Sequence, residues 1–579
     1  MSGAKIFVGC RRSIGVPVMG GGLGLRERQA YGSSSFVRQI GIIFRPTIFV
    51  LTSSVLIASI VLGGGTHSGF LSDVLLQLAA LPLLCVAIIK LIDEGYDPEL
   101  RWPLVFIAAV VLLPLVQLVP LPASVWTLLP GHKVVSDTYV LLGEQLPARP
   151  LTLSPTATWL SALAMLPPLA IFLGTVSLDY AKRRTITLIL IAMGVLSMFL
   201  GLLQLAGGAG SALRFYAITN RTEAVGFFAN RNHLAALLYS SMLFSILWSI
   251  EGTIRLGRQT RRNKIDSLDF LLLTCAGVAF AALLAGQLMA RSRAGLMLSI
   301  AALLGGIALA ASDRRRTSFA SGPARFIIGA TVVTIIFSLQ FALYRIIDRF
   351  SVDSVTGDRI TIVRNTIAAA RTYMPFGSGL GTFVPVYQMF ERPSDIGVAY
   401  INHAHNDVLE LWLEAGLPGL LLIALYAVWL MRRIASVWRG GHAYRIGSFD
   451  LGIIRTGSIV LFLLSAHSLI DYPLRTYAMA GIAAFCAALL IPPAPDQNGG
   501  DAVAGTEAQE TQETRKRLGS QKTHGSRTAG RTADRRRPVQ PRELLGQSVS
   551  WPAAWIRTEA TCEAAPANSS DVDIRSPES

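Results

Sequence analysis

The sequence predicts an all-α, polytopic membrane protein of about twelve transmembrane helices, from apolar content, block length and the placing of its charges. The 579 residues are 52% hydrophobic and only 15% charged, a balance that leaves too few charges to keep a soluble surface dissolved. The apolar residues come in blocks of about 18 to 22, the length that crosses a hydrocarbon core of about 30 Å at 1.5 Å per residue. Short basic clusters separate alternate blocks, so the formal charge of +16 follows from the positive-inside rule and does not call for nucleic acid as a partner.

In chain order the spans are expected over 47–64, 71–91, 103–121, 158–178, 185–206 and 233–250, then 270–288, 294–311, 326–344, 416–431, 453–470 and 477–491. The Arg-rich N-terminal segment (1–45) shares its side with Lys182, Arg183, Arg184, the 255–264 segment, Arg314, Arg315, Arg316, Arg432 and Arg433. That side is cytoplasmic by the positive-inside rule, and an even number of spans places both termini there. The opposite, periplasmic side receives the loops 121–157 and 207–232, the tight turn Arg291-Ser292-Arg293, and the long loop 345–415 between spans 9 and 10. Residues 46–492 thus form one membrane domain, and 493–579, rich in Gln, Thr, Arg, Gly, Ser and Pro, read as a disordered cytoplasmic tail. The first forty residues lack the apolar run of a cleavable signal, so the first span serves as the insertion signal. The five cysteines are scattered without a CxxC spacing, which argues against a zinc site or a disulfide framework.

Chemistry is expected where polar groups crowd the outer ends of spans. Gly226-Phe227-Phe228-Ala229-Asn230-Arg231-Asn232-His233 runs into the sixth span, and capping by Asn230 or Asn232 leaves Arg231 and His233 at its outer edge. Arg291 and Arg293 flank a hairpin between two spans; they either snorkel to headgroups or form a guanidinium pair for a phosphate-bearing ligand. Pro375-Phe376-Gly377-Ser378-Gly379-Leu380-Gly381-Thr382-Phe383 lacks the Lys-Ser/Thr ending of a P-loop, and its glycines suit close approach of backbone to a ligand or a neighbouring helix. In Asn402-His403-Ala404-His405-Asn406-Asp407-Val408-Leu409-Glu410, Asp407 and Glu410 have the spacing of a capping box, opening a short helix that stops at Gly416 ahead of Pro418. His403, His405 and Asp407 match half of a dinuclear metal motif, but Val408 stands where a further His is expected. In the last turn, His467 to Arg475, an Asp471–Arg475 ion pair or a phosphate or sugar contact through Arg475 are the two readings.

Together these segments resemble the O-antigen ligase superfamily, over about 220–475, through the 226–235 stretch, Ser292-Arg293-Ala294-Gly295, 376–383, and His405-Asn406-Asp407-Val408-Leu409-Glu410 followed by Glu414-Ala415-Gly416-Leu417-Pro418-Gly419. The resemblance implies a membrane glycosyltransferase that takes a glycan from undecaprenyl diphosphate at the periplasmic face of the inner membrane. The acceptor it implies is another glycan, a lipid A core or a protein, and it implies no required metal, cofactor or nucleotide sugar. It also implies an Arg–His site, carried onto Arg293 and His405, with His405 as general base and Asn406 and Asp407 beside it. Many relatives have an Arg two residues before the glycine matching Gly226; Ala224 stands there, which leaves Arg221, Arg231 and Arg291 as candidates for a second phosphate-binding cation. The rival class is a lipid-linked glycan flippase, which needs its polar groups in a midplane cavity, whereas these gather at one face.

Overall fold

The computed structural model describes residues 47–67, 69–260, 266–312, 355–396, 401–439 and 447–493, together with 329 and 336. Among them nine helices are long and apolar enough to cross a membrane, and two more apolar helices are shorter. In chain order the eleven are α1 (Thr47–Leu62), α2 (Leu71–Asp93), α3 (Pro98–Gln117), α4 (Pro155–Val176), α5 (Tyr180–Ala206), α6 (Arg231–Gly257), α7 (Ser267–Ala290), α8 (Arg293–Ser312), α9 (Asp407–Trp438), α10 (Ser448–His467) and α11 (Tyr477–Leu489). Each falls on one of the expected spans. The expected span 326–344 lies almost wholly outside the described residues, as do both terminal segments. The first and last expected spans are shorter than the long-helix class, so the expected twelve become nine long and two short helices among the described residues.

The bundle is organised around α6, whose apolar window is 89% buried, against 17% for α3 and α7. α6 packs on α5, α7, α8 and α10. In lipid the apolar surface of a helix gains little from meeting another helix, so close packing of small residues and polar cross-links carry association. The links here are Ser241 Oγ to the Leu190 carbonyl (3.1 Å), Ser245 Oγ to the Ala276 carbonyl (2.6 Å) and Gln287 Nε2 to the Ala235 carbonyl (2.8 Å).

At one end of the bundle, basic side chains tie helix ends together. Arg183 is buried at the start of α5 and donates to carbonyls of Thr175, Val176 and Leu178 at the end of α4 and of Ala488 and Ile491 at the end of α11. Arg184 forms a two-pronged pair with Asp450 at the start of α10, and Arg433 near the end of α9 pairs with Glu99. Of the basic clusters expected on one side of the membrane, those at 182–184 and 432–433 share one end of the fold, while the N-terminal segment and Arg314, Arg315 and Arg316 lie outside the described residues.

At the other end the segment 355–396 is a packed cap. Helix Val355–Thr372 and helix Phe383–Gln388 enclose a second small core of Ile362, Ala369, Tyr373, Phe383, Tyr387 and Leu413. The first part of α9 belongs to this cap, because α9 is broken at Gly416, whose φ of 56° and ψ of −140° are non-helical. A Cβ there would lie 2.1 Å from the Pro375 carbonyl oxygen, so both the turn and the approach require glycine. The carbonyls freed at the break are taken by the glycine-rich stretch: Ser378 N–H donates to Leu413 (3.0 Å), Gly379 N–H to Glu414 (2.9 Å), and Gln117 Nε2 also reaches Glu414 (3.0 Å). Of the two uses expected for those glycines, the neighbouring helix is the one observed.

Candidate active site

The starts of three helices meet at the turn that follows α10. Asn230, just before α6, accepts from the Asn232 amide at 2.9 Å, as an N-cap does. Ser292, just before α8, accepts from the Gly295 amide at 2.9 Å. Asn406 caps α9 through the Leu409 amide (2.9 Å) and donates to the Leu469 carbonyl (2.8 Å) in the turn after α10. The cap of α9 is therefore Asn406, one residue before the expected Asp407; Glu410 is turned to other partners, so the expected capping box does not form.

A continuous hydrogen-bond chain links these caps. Ser292 Oγ donates to Asn232 Oδ1 at 2.8 Å, Asn232 Nδ2 donates to Asp471 Oδ2, and Asp471 Oδ1 lies 3.0 Å from His405 Nδ1. Asp471 is fully buried. Burial works against its ionisation, but the hydrogen bond from His405 and the histidines His233, His405 and His467 around it outweigh that and hold the carboxyl well below the usual carboxylate range. A carboxylate at Nδ1 makes that nitrogen the donor, which leaves the lone pair of the neutral ring on Nε2. Among the described residues no hydrogen-bond partner meets His405 Nε2, and the side chain keeps 28% of its exposure. His405 adopts a positive φ of 51°, a conformation that costs a residue with a Cβ about 1 kcal/mol or more and persists where its surroundings impose it.

Beneath this chain lies a charged cluster. Arg475 Nη1 contacts Glu414 Oε2 at 2.8 Å and Glu410 Oε1 at 3.1 Å, and its Nε faces Asp407 Oδ1 at 3.5 Å. Burial lowers the affinity of Arg475 for its proton, but the charges of Glu410, Glu414 and Asp407 more than restore it. Arg475 thus pairs with α9, and the expected Asp471–Arg475 pair is not formed, because Asp471 is taken by His405 and Asn232. His403 places Nδ1 2.8 Å from Glu410 Oε1 and Nε2 2.9 Å from the Thr66 carbonyl. Tyr472 packs between the histidines, with ring centroids 4.2 Å from His403, 5.1 Å from His405 and 5.0 Å from His233. The residues of the half metal motif go separate ways: His405 to Asp471, His403 to Glu410, Asp407 to Arg475.

The remaining candidates distribute as follows. Arg291, in the left-handed C-cap of α7, and Arg293, the first residue of α8, are both exposed, while Ser292 between them is buried against Asn232. The turn therefore sends one side chain into the site's hydrogen-bond chain and two guanidinium-bearing chains outward. Arg231 is paired with Glu223 and is half-buried; Arg221 is exposed. His233 stands in the first turn of α6, at the edge expected from the sequence, but it is fully buried beneath Phe228 and Tyr472. Reasoning from sequence missed the partnership of Asp471 with His405, the bridging role of Asn232 and Ser292, and the carbonyl of Thr66. The one available signal was an Asp in an otherwise apolar turn, and it was assigned to the nearer cation.

Residues 278–424 match the family model described as O-antigen ligase. The matched stretch holds Arg291, Arg293, His403, His405, Glu410 and Glu414; Asn232 and Asp471, which complete the chain to His405, lie outside it on either side. No curated protein matched the chain.

Proposed function

We propose that this chain, with its O-antigen ligase-like segment and its many apolar helices, transfers a glycan from undecaprenyl diphosphate to an acceptor hydroxyl at the periplasmic face of the inner membrane. The observation that carries the reading is the His405–Asp471 pair, a base held by a buried carboxylate with its second nitrogen facing outward. In the proposed step His405 Nε2 takes the proton of the acceptor hydroxyl as its oxygen bonds to the anomeric carbon. The bond from that carbon to the diphosphate oxygen breaks, and undecaprenyl diphosphate leaves with the electron pair. Asp471 keeps the ring oriented and stabilises the imidazolium that forms, a role familiar from other carboxylate–histidine pairs. Arg293, with Arg291 beside it, Arg221 in the loop before α6 and Arg231 at the first position of α6, supplies planar donors for the charge that develops on the diphosphate. A diphosphate is a good leaving group, so the step is complete without a metal. Gathering of the polar groups at one end of the bundle favours an enzyme over a flippase.

The test is single-turnover transfer by purified protein in nanodiscs with a lipid-linked glycan donor. His405→Ala is expected to lose at least about 10²-fold in rate with donor binding intact, the lower bound for a general base. Retention of more than about a tenth of the wild-type rate removes His405 from that role. Movement of the lipid-linked glycan across vesicles, without transfer, identifies a transporter instead.

A further inference from the structure

His403 is built differently from His405, and the difference fixes its protonation state by geometry. Both of its nitrogens face oxygens that only accept: Glu410 Oε1 at 2.8 Å and the Thr66 carbonyl at 2.9 Å. A neutral ring has one N–H, so it would turn a lone pair either on the carboxylate or on the carbonyl. Both contacts hold together only when both nitrogens carry protons. The flat face of Tyr472 lies against the ring with centroids 4.2 Å apart, a further preference for a cation.

The contact at Thr66 joins two parts of the fold. In the segment 63–70 between α1 and α2, Gly63, Gly64 and Thr66 are stitched to the segments that carry the candidate active site. The Gly63 carbonyl accepts from Ala478 N–H, the Gly64 carbonyl from Ala229 N–H, and the Thr66 carbonyl from both His403 and Asn402 Nδ2. His403 and Asn402 therefore anchor the approach to His405 from the N-terminal side, with the Ala404 amide donating to Glu410 Oε2 at 2.8 Å, and His403 is the side chain that joins Thr66 to Glu410. On the C-terminal side the anchors are Asn406 to Leu469 and the Asp407 amide to the Ser468 carbonyl (2.8 Å). Between the two anchors sits His405 with its positive φ, a backbone state that relaxes unless it is held from both sides.

We propose that His403 is a positioning residue that works only as the imidazolium: it clamps residues 63–70 to Glu410 and so holds the strained backbone of His405 in the geometry that presents Nε2 to the acceptor. The inference rests on the reading of His405 as the base. The groups around His403 are Glu410, Glu414 and Asp407 on α9, Arg475 and Tyr472 on the turn, His233 on α6, and His67 on the 63–70 segment. Burial favours the neutral ring and Arg475 opposes the charge, but the charge of Glu410 and its hydrogen bond raise His403 above the ordinary imidazole value. The sign follows. A raised group gives its stabilisation in full below the ordinary value near 6.5 and loses it as pH rises through the raised one, so the clamp opens on the alkaline side.

Two readouts on the full chain in nanodiscs test this. Wild-type single-turnover transfer is expected to show an alkaline limb in kcat with unchanged donor KM. His403→Gln, which offers one donor and no charge, is expected to lose about tenfold in kcat, the equivalent of losing support for one left-handed residue, and to lose the limb. His403→Lys, which keeps a cation through the same pH range, is expected to restore part of the rate and to move the limb upward. The second readout is deuterium uptake at 63–70 and 401–406, normalised to intrinsic exchange. It is expected to rise across the same pH window in the wild type and to stay flat in His403→Lys. Uptake that titrates as expected in a protein without transfer upholds the clamp and overturns the proposed function. Transfer whose alkaline limb is unmoved in both variants, with uptake independent of pH, overturns the clamp alone.

Discussion

Replacing Asp471 by Asn tests the chain from His405 to Ser292 at its most constrained point. The carboxylate accepts twice, from His405 Nδ1 at 3.0 Å through Oδ1 and from Asn232 Nδ2 through Oδ2. An amide has one oxygen, so Asp471→Asn can satisfy only one of them. If its oxygen faces His405, its NH2 opposes the NH2 of Asn232, and turning Asn232 over breaks the 2.8 Å bond from Ser292. A buried donor left without an acceptor costs about 1–3 kcal/mol, or roughly 5- to 150-fold in the population of the competent arrangement. If instead the NH2 faces His405, the ring must accept at Nδ1 and carry its proton on Nε2, where a base needs a lone pair. The same exchange in Ser-His-Asp triads costs about 10⁴ in kcat. Either arrangement also removes the charge that stabilises the imidazolium, so Asp471→Asn is expected to lower kcat by about 10²- to 10⁴-fold with donor KM little changed. The assay is single-turnover transfer from lipid-linked donor in nanodiscs, with donor binding measured in parallel. A variant that keeps more than about a tenth of the rate would refute the orienting role of Asp471. Because the carboxyl is held below its ordinary value, its contribution is present above a pH of about 3.9 and is lost only as pH falls through the depressed value, so it gives no slope between about pH 5 and 9.

Arg293→Lys is expected to impair transfer by about tenfold or more although the charge is kept, because a point charge replaces a planar fork; near-normal turnover of both Arg293→Lys and Arg293→Ala would point to snorkelling. Arg183→Met leaves five carbonyls of two helix ends without their donor and is expected to destabilise the bundle by about 3 kcal/mol or more, read by thermal unfolding in detergent; a change within about 0.5 kcal/mol would mean that those carbonyls find other donors. With the native cysteines replaced, Ser394→Cys in the exposed cap turn Pro393–Asp395 is expected to react with a membrane-impermeant thiol reagent from outside intact cells, and Ser520→Cys only after permeabilisation. Outside labelling at 520 would overturn the assigned orientation.

Apolar block length and the placing of Lys and Arg determined where this chain forms membrane helices, since a span must satisfy its own backbone and reach across the hydrocarbon. Local chemistry likewise gave the break at Gly416 ahead of Pro418, the close backbone approach at the glycines at 377 and 379 though not what approaches them, and the segments in which polar groups crowd helix starts. What the sequence left open was which of those groups face each other. Asp471 is four residues from Arg475 along the chain and 66 from His405, and proximity in sequence favoured the wrong partner. Two histidines separated by one residue read alike until the fold put a carboxylate on one nitrogen of His405 and acceptors on both nitrogens of His403. The position of Thr66, 337 residues away from His403, is a property of how α1 and α2 pack and of nothing in the local pattern. Helix propensity and hydropathy act over a turn or a span; a hydrogen bond selects its partner by direction over about 3 Å. Only the tertiary arrangement fixes directions at that scale, so only there does a cluster of polar residues become a base, a clamp and a set of caps.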